Sequence, residues 1–525
     1  MLACRKSRAN GRDRPDKAQW NSWSVLLAGI LLVATATTAM NWMKLVSLRS
    51  TWPADLAFFE NAAFNLTQGR LITYVQPVAW FDGSELDGPA VFRHTHFSPA
   101  WMLIAATVYR IAPGTLTLFL FQSVILAAGC IPLYLVVREH TGSVVAAQVA
   151  GWSYLLHPAI LHLAFNDFRP VALGITPALF ALWFHHRRRL GPFIAAAVAT
   201  LACRQEWVFL VAAIGVMNLF LPKPRRWEWR WALLPVAVAA GWAVLTDLYF
   251  LAAFGRHWPV LAGSVRSGQG VEIAQDLAHR LAVLFRIALL PGILGLLAPG
   301  VFVVAMPFVA AASSVRWPAF PHHDLQHLSQ AFVVLFWAFA AVVVHWWPWL
   351  AARRSRLRVT VAACTVAVVA SFAQFAAAAT WTYLLRGVPR YPGLERIERE
   401  TPAAATVLVP QRAMALFGRH WRLLAVERIP ATSPVPLQPA VEQAAISTLV
   451  ATCDLVVLEH RGAWFAKRLA ESGRYLPAES VDGFEVFRAR PTLVDTPDAD
   501  QALQSAFGWA RLTPLQRRWS GLPPP

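Results

Sequence analysis

The chain is 525 residues long, 57% hydrophobic and only 14% charged, with a mean hydropathy of +0.45. A soluble domain does not carry that balance, and the long uncharged stretches read as membrane spans. The net charge of +18 does not point to nucleic acid: the basic residues gather at the ends of apolar runs, where they set orientation and meet anionic headgroups.

In chain order, the basic N-terminus (1–22) carries Arg5, Lys6, Arg8, Arg12, Arg14 and Lys17, which keeps it cytoplasmic. The apolar run 23–43 is too long for a signal-peptide core and lacks a cleavage site, so it reads as a retained span. It delivers a first outer loop, 44–113, with Asp55 on the outer face. Within that loop the apolar piece 99–112 is short for a span and ends in Tyr109-Arg110, so it reads as a re-entrant or interfacial helix. This choice sets the parity of everything after it. Spans are predicted at 114–137, 144–163 and 171–184, the last stopping at the cytoplasmic cluster His185-His186-Arg187-Arg188-Arg189.

Two short apolar arms, 192–202 and 208–221, flank Cys203-Arg204-Gln205-Glu206-Trp207 and read as a hairpin with Arg204 and Glu206 at its outer tip. Further spans are predicted at 231–251, 329–349 and 359–385, and 287–315 reads as a tight hairpin or one long span, giving about eleven spans in all. From residue 386 charges and prolines return. Residues 386–525 read as an extracytoplasmic α/β domain, with strands at 405–409 and 455–458 and helices at 442–450 and 464–472. The five cysteines show no paired spacing and imply no disulfide framework. No nucleotide-binding loop, dinucleotide fingerprint, zinc-protease or serine-hydrolase motif is present.

Several motifs then act as a set: Asp55-Leu56-Ala57-Phe58-Phe59-Glu60 followed by Asn65-Leu66-Thr67-Gln68-Gly69-Arg70, His96-Phe97-Ser98-Pro99, Phe168-Arg169-Pro170-Val171-Ala172-Leu173 and Cys203-Arg204-Gln205-Glu206. Together they resemble an uncharacterised bacterial polytopic membrane family, domain-of-unknown-function family 2079. The last motif departs from that family's usual Cys-Lys-Glu-Asp, keeping a cation followed by an acid. The family in turn distantly resembles the GT-C glycosyltransferases, such as the protein O-mannosyltransferases and aminoarabinose transferases. The resemblance implies a GT-C-like α-helical polytopic fold over 23–385 in a bacterial plasma membrane. It also implies sugar transfer from a polyprenyl-phosphate donor to an acceptor at the outer face. By order and topology, Asp55, Asp167 and Arg204 match an acid in the first outer loop, an acid in the next and a cation in a short hairpin.

Such a transfer needs a base near the acceptor and cations on the leaving phosphate. Asp55 fits the base, a metal or acceptor ligand, or a plain helix cap. Asp167 fits a second catalytic acid and Arg169 a substrate contact, or the two form a local ion pair closing a turn. Arg204 fits a phosphate ligand oriented by Glu206, or mutual neutralisation. Glu60 fits a substrate contact or an ion pair with Arg70 or Arg93. His94 and His96 fit metal binding, phosphate contact or a helix cap before Pro99; His322-His323-Asp324 with His327 fits phosphate or substrate contact, its i,i+4 spacing leaving a divalent metal open with no third ligand evident. A transporter or lipid-binding protein is the alternative. Transporters favour inverted repeats and mid-membrane acids, whereas here the acids fall on outer loops and no repeat is visible.

Overall fold

The computed structural model describes residues 17–50, 53–69, 75–78, 99–204, 206–217, 228–254, 329–353, 390–420, 422–426, 453–459 and 463–490. The predicted hairpin 287–315, the span 359–385 and the helix 442–450 lie outside these residues.

The first helix, α1 (Lys17–Val46), forms because 23–43 holds only apolar and small polar residues. Leu26, Ile30, Val33 and Ala34 are buried while Leu27, Leu31 and Leu32 are exposed. One helical stripe therefore packs on protein and the other suits lipid. A short helix α2 (Pro53–Thr67), a strand β1 (Val75–Val78) and the helix α3 (Pro99–Ile111) follow. At 13 residues, α3 is the short helix expected within 99–112.

Helices α4 (Thr115–Ala128) and α5 (Cys130–Thr141) together make one span-length unit. The expected span 144–163 is instead a bent pair, α6 (Val144–Leu155) and α7 (Pro158–Phe165), kinked by 45°. Pro158 cannot donate a helical hydrogen bond and forces His157 to extended backbone, which breaks the helix there. The expected span 171–184 is likewise divided at Gly174, into α8 (Pro170–Leu173) and α9 (Ile175–His186). The two short arms appear as α10 (Leu190–Cys203) and α11 (Trp207–Met217), followed by α12 (Trp229–Phe254) and α13 (Ser329–Ala351). The N-terminal half of α13 is almost wholly buried, and Phe336 packs edge-on against Tyr154 and His157. Among the described residues four helices are long and apolar enough to cross a membrane, or five if the bent pair counts as one.

After α14 (Pro392–Glu400) come β2 (Thr406–Pro410), a 3-10 helix (Gln411–Phe417), β3 (Arg422–Val426), β4 (Leu455–Glu459), α15 (Ala463–Glu471), β5 (Glu479–Val481) and β6 (Phe484–Arg488). The strands read at 405–409 and 455–458 are β2 and β4, and the helix read at 464–472 is α15. The six strands form one sheet in the order β1-β3-β2-β4-β6-β5. Strands β1, β3, β2 and β4 are mutually parallel; β6 and β5 run antiparallel at the far edge. Its edge strand β1 belongs to the first outer loop, which the sequence reading did not anticipate.

Candidate functional site

Asp55 lies in the first turn of α2, one helical turn before Phe59. The Phe59 ring meets Phe168 edge-on, 5.9 Å between centroids. Helix α2 therefore rests on the turn that carries Asp167 and Arg169.

That turn is bolted from several sides by polar groups on the membrane helices. Asn41 of α1 donates to the Ala164 carbonyl at 2.7 Å. Lys44, at the outer end of α1, donates to the Phe165 carbonyl at 2.9 Å and to Asp167 Oδ1 at 3.1 Å. Gln122 of α4 donates to the Leu163 and Asn166 carbonyls and accepts from the Arg169 amide at 2.7 Å. Lys44 and Asp167 are each 1% exposed, so the pair is screened from water. Asp167 thus forms a buried ion pair with Lys44 of α1 that helps close this turn. Lys44, 123 positions away, is a partner that local pairing from the sequence does not reach.

The α10–α11 hairpin presents Arg204 and Glu206 at its tip, with Arg204 Nε 2.9 Å from Glu206 Oε2. The two atoms lie at ion-pair distance but lack hydrogen-bond alignment. Helix α10 packs on α3 and on α8, the element directly after Arg169. Trp207 is fully buried against Gly174; a Cβ at Gly174 would lie 2.3 Å from the indole. Gly174 is required for this close approach of the hairpin to the α8–α9 break.

Glu60, on α2, is buried. Its carboxylate accepts from the Tyr109 hydroxyl of α3 at 3.1 Å and from the Thr115 hydroxyl of α4 at 2.5 Å. Arg70 and Arg93, its expected ion-pair partners, lie outside the described residues. Burial pushes the Glu60 carboxyl up to about 7, against the two hydrogen bonds and the positive charge of Arg419, which favour the carboxylate. Next to it Asn61 donates to the His420 carbonyl at 2.6 Å, and Gly418 abuts the Glu60 carboxylate.

His94, His96, His322, His323 and His327 lie outside the described residues. Among the described residues no group of three His, Cys, Asp or Glu side chains could hold a metal ion. Sequence reasoning missed Lys44, which reads as an interfacial anchor ending span 1, and Asn41 and Gln122, which read as polar residues within spans. Polar groups at membrane depth are the signal that could have found them.

The arrangement can now be set beside known proteins. The family profile described as "Predicted membrane protein (DUF2079)" matches residues 44–413. The chain belongs to the DUF2079 family. That match covers most of the chain, including α2, the Asp167 turn, the hairpin and β2. No curated protein matches this DUF2079 chain. Among solved structures it is similar to ArnT from Cupriavidus metallidurans bound to undecaprenyl phosphate, at 12% identity and TM-score 0.51. That match covers 89% of this chain and 99% of ArnT. The oligosaccharyltransferase of Archaeoglobus fulgidus in its apo form matches at 12% identity and TM-score 0.46, over 91% of this chain and 75% of that one. The DUF2079 chain is thus a mostly helical membrane protein with several apolar spans and a GT-C-like fold.

Proposed function

We propose that this DUF2079 protein is a GT-C-type glycosyltransferase that moves a sugar from a polyprenyl-phosphate donor to an acceptor at the outer face of the bacterial plasma membrane. The observation that carries the reading is the seating of α2, with Asp55 in its first turn, on the Asp167–Arg169 turn through Phe59 and Phe168. It brings two acid-bearing segments of separate outer loops together in a fold similar to that of ArnT.

In this reading Asp55 takes the proton of the acceptor hydroxyl as its oxygen attacks the anomeric carbon. The bond from that carbon to the phosphate oxygen breaks with inversion, and the electron pair leaves on the polyprenyl phosphate. Arg204 stabilises the charge developing there, with Glu206 orienting its guanidinium. Arg169, His96, His322 and His323 are further contacts for donor or acceptor. Asp167, sealed against Lys44, acts as a positioning residue rather than as a second acid in contact with substrate.

The test is sugar transfer, or accumulation of the lipid-linked donor in cells, measured beside protein abundance. Asp55→Asn keeps the size of the side chain and removes its basicity, so transfer falls about 100-fold or more with abundance unchanged. Arg204→Gln weakens donor binding, because the phosphate loses a two-pronged partner. Full activity of Asp55→Asn at normal abundance ends the case for it as the base. If both variants change only stability, the chain is a transporter or lipid-binding protein instead.

A further inference from the structure

The interface between the membrane helices and the sheet contains a titratable group that the transfer reading leaves unused. Glu60 sits where four elements meet. Tyr109 of α3 and Thr115 of α4 donate to its two oxygens. Behind it lies the segment after the 3-10 helix, where a Cβ on Gly418 would be 2.6 Å from Oε2. The next turn of α2 continues the same contact: Asn61 donates to the His420 carbonyl, and Asn65 donates to Asn61.

We propose that Glu60 is a positioning residue that pins α2, and with it Asp55, to the outer sheet domain, and that its proton is part of the pin. The functional consequence rests on the reading of Asp55 as the base; the docking does not.

The charges around Glu60 explain why a proton matters. Among the described residues, Arg419 and Glu398 form an ion pair beside it, Arg419 Nε donating to Glu398 Oε1 at 3.1 Å. These two cancel. Burial holds His420 neutral by lowering it to about 4. Tyr109 stays protonated, because burial and the neighbouring carboxylate raise it. An ionised Glu60 therefore leaves one uncompensated negative charge in a dry interface, and a protonated one leaves none. Its carboxyl, raised to about 7 chiefly by burial, changes state within the ordinary range outside a cell. Protonated, it can donate to the Thr115 oxygen it now accepts from and still accept from Tyr109, so the hydrogen-bond pattern survives. Release of the pin would leave β1 as the remaining tie between this loop and the sheet domain.

Hydrogen exchange of the full chain in nanodiscs, corrected for the intrinsic pH dependence of exchange, reads the docking directly. Protection of 53–67 and 411–420 should fall roughly 30-fold from about pH 5.5 to about pH 8.5 as Glu60 ionises. Glu60→Gln mimics the protonated acid and should keep the low-pH protection throughout. Tyr109→Phe removes a hydrogen bond that favours the carboxylate, so the midpoint should move to higher pH; this variant serves if Glu60→Gln fails to fold. Flat protection in the wild type, a pH response surviving in Glu60→Gln, or an unmoved midpoint in Tyr109→Phe would each overturn the proposal. Asp55→Asn should leave the profile intact. A pH-dependent pin together with an active Asp55→Asn would sink the base and spare the pin.

Discussion

The Lys44–Asp167 pair offers a quantitative test of the site's scaffold. Both side chains are 1% exposed, so solvent screening does not discount their interaction, and Lys44 also holds the Phe165 carbonyl and lies 4.6 Å from the Phe165 ring. Lys44→Met takes the ammonium away from a buried carboxylate, and Asp167→Asn takes the carboxylate away from a buried ammonium. Each single substitution should cost about 3–5 kcal/mol, the usual loss when one partner of a buried pair is removed. The double variant removes both charges and should cost little more than either single one, giving a coupling energy of about 3 kcal/mol or more. The assay is unfolding in mixed detergent followed by tryptophan fluorescence, with all four proteins of the cycle compared at one pH. Losses below about 1 kcal/mol in both single variants, or a double variant equal to their sum, would refute the claim that this pair fixes the Asp167 turn.

Other outcomes follow from the same contacts. Gly174→Ala forces a methyl into the Trp207 indole and should destabilise the protein by about 1–3 kcal/mol, read as a lower thermal midpoint with altered tryptophan emission. Gly418→Ala pushes on the Glu60 carboxylate and should loosen the α2 contact at every pH, seen as faster exchange of 53–67. For stability against pH, a carboxyl raised to about 7 contributes fully below its ordinary value near 4.5 and loses that contribution as pH rises through 7. Wild-type stability should therefore decline by about 3 kcal/mol across that window relative to Glu60→Gln, checked by denaturation at several pH values. Reporter fusions after residue 189 and at residue 525 should report opposite sides of the membrane; one common side would break the odd-span topology.

The sequence carried the gross architecture because its signals are local. Runs of uncharged residues define spans, and the short stretch before Tyr109-Arg110 was readable as a helix too short to cross. Breaks inside spans were legible in principle at Pro158 and Gly174, yet hydropathy windows average over them. Partners were not legible. Nothing local says that Lys44 answers Asp167, or that Glu60 faces Tyr109, Thr115 and Gly418, because these contacts join elements 49 to more than 350 residues apart. Charge pairing read from sequence favours near neighbours, so it reaches Arg169 from Asp167 but not Lys44. The acid-and-cation set of Asp55, Asp167 and Arg204 came from motif order; the polar residues that support it came only from the packing.

The strand β1 sets the order in which this protein can be completed. Val75–Val78 pairs in parallel with Leu423–Val426, so the sheet closes only when chain from opposite ends of the sequence is on the same side of the bilayer. A parallel pairing across such a separation carries a large loop-closure cost and forms late. During synthesis the first outer loop must therefore wait with its strand edge open while the intervening helices are inserted, exposed to wrong pairings. Chains truncated before residue 422 should insert normally and still leave that edge without β3, which makes completion of that loop dependent on chain made much later.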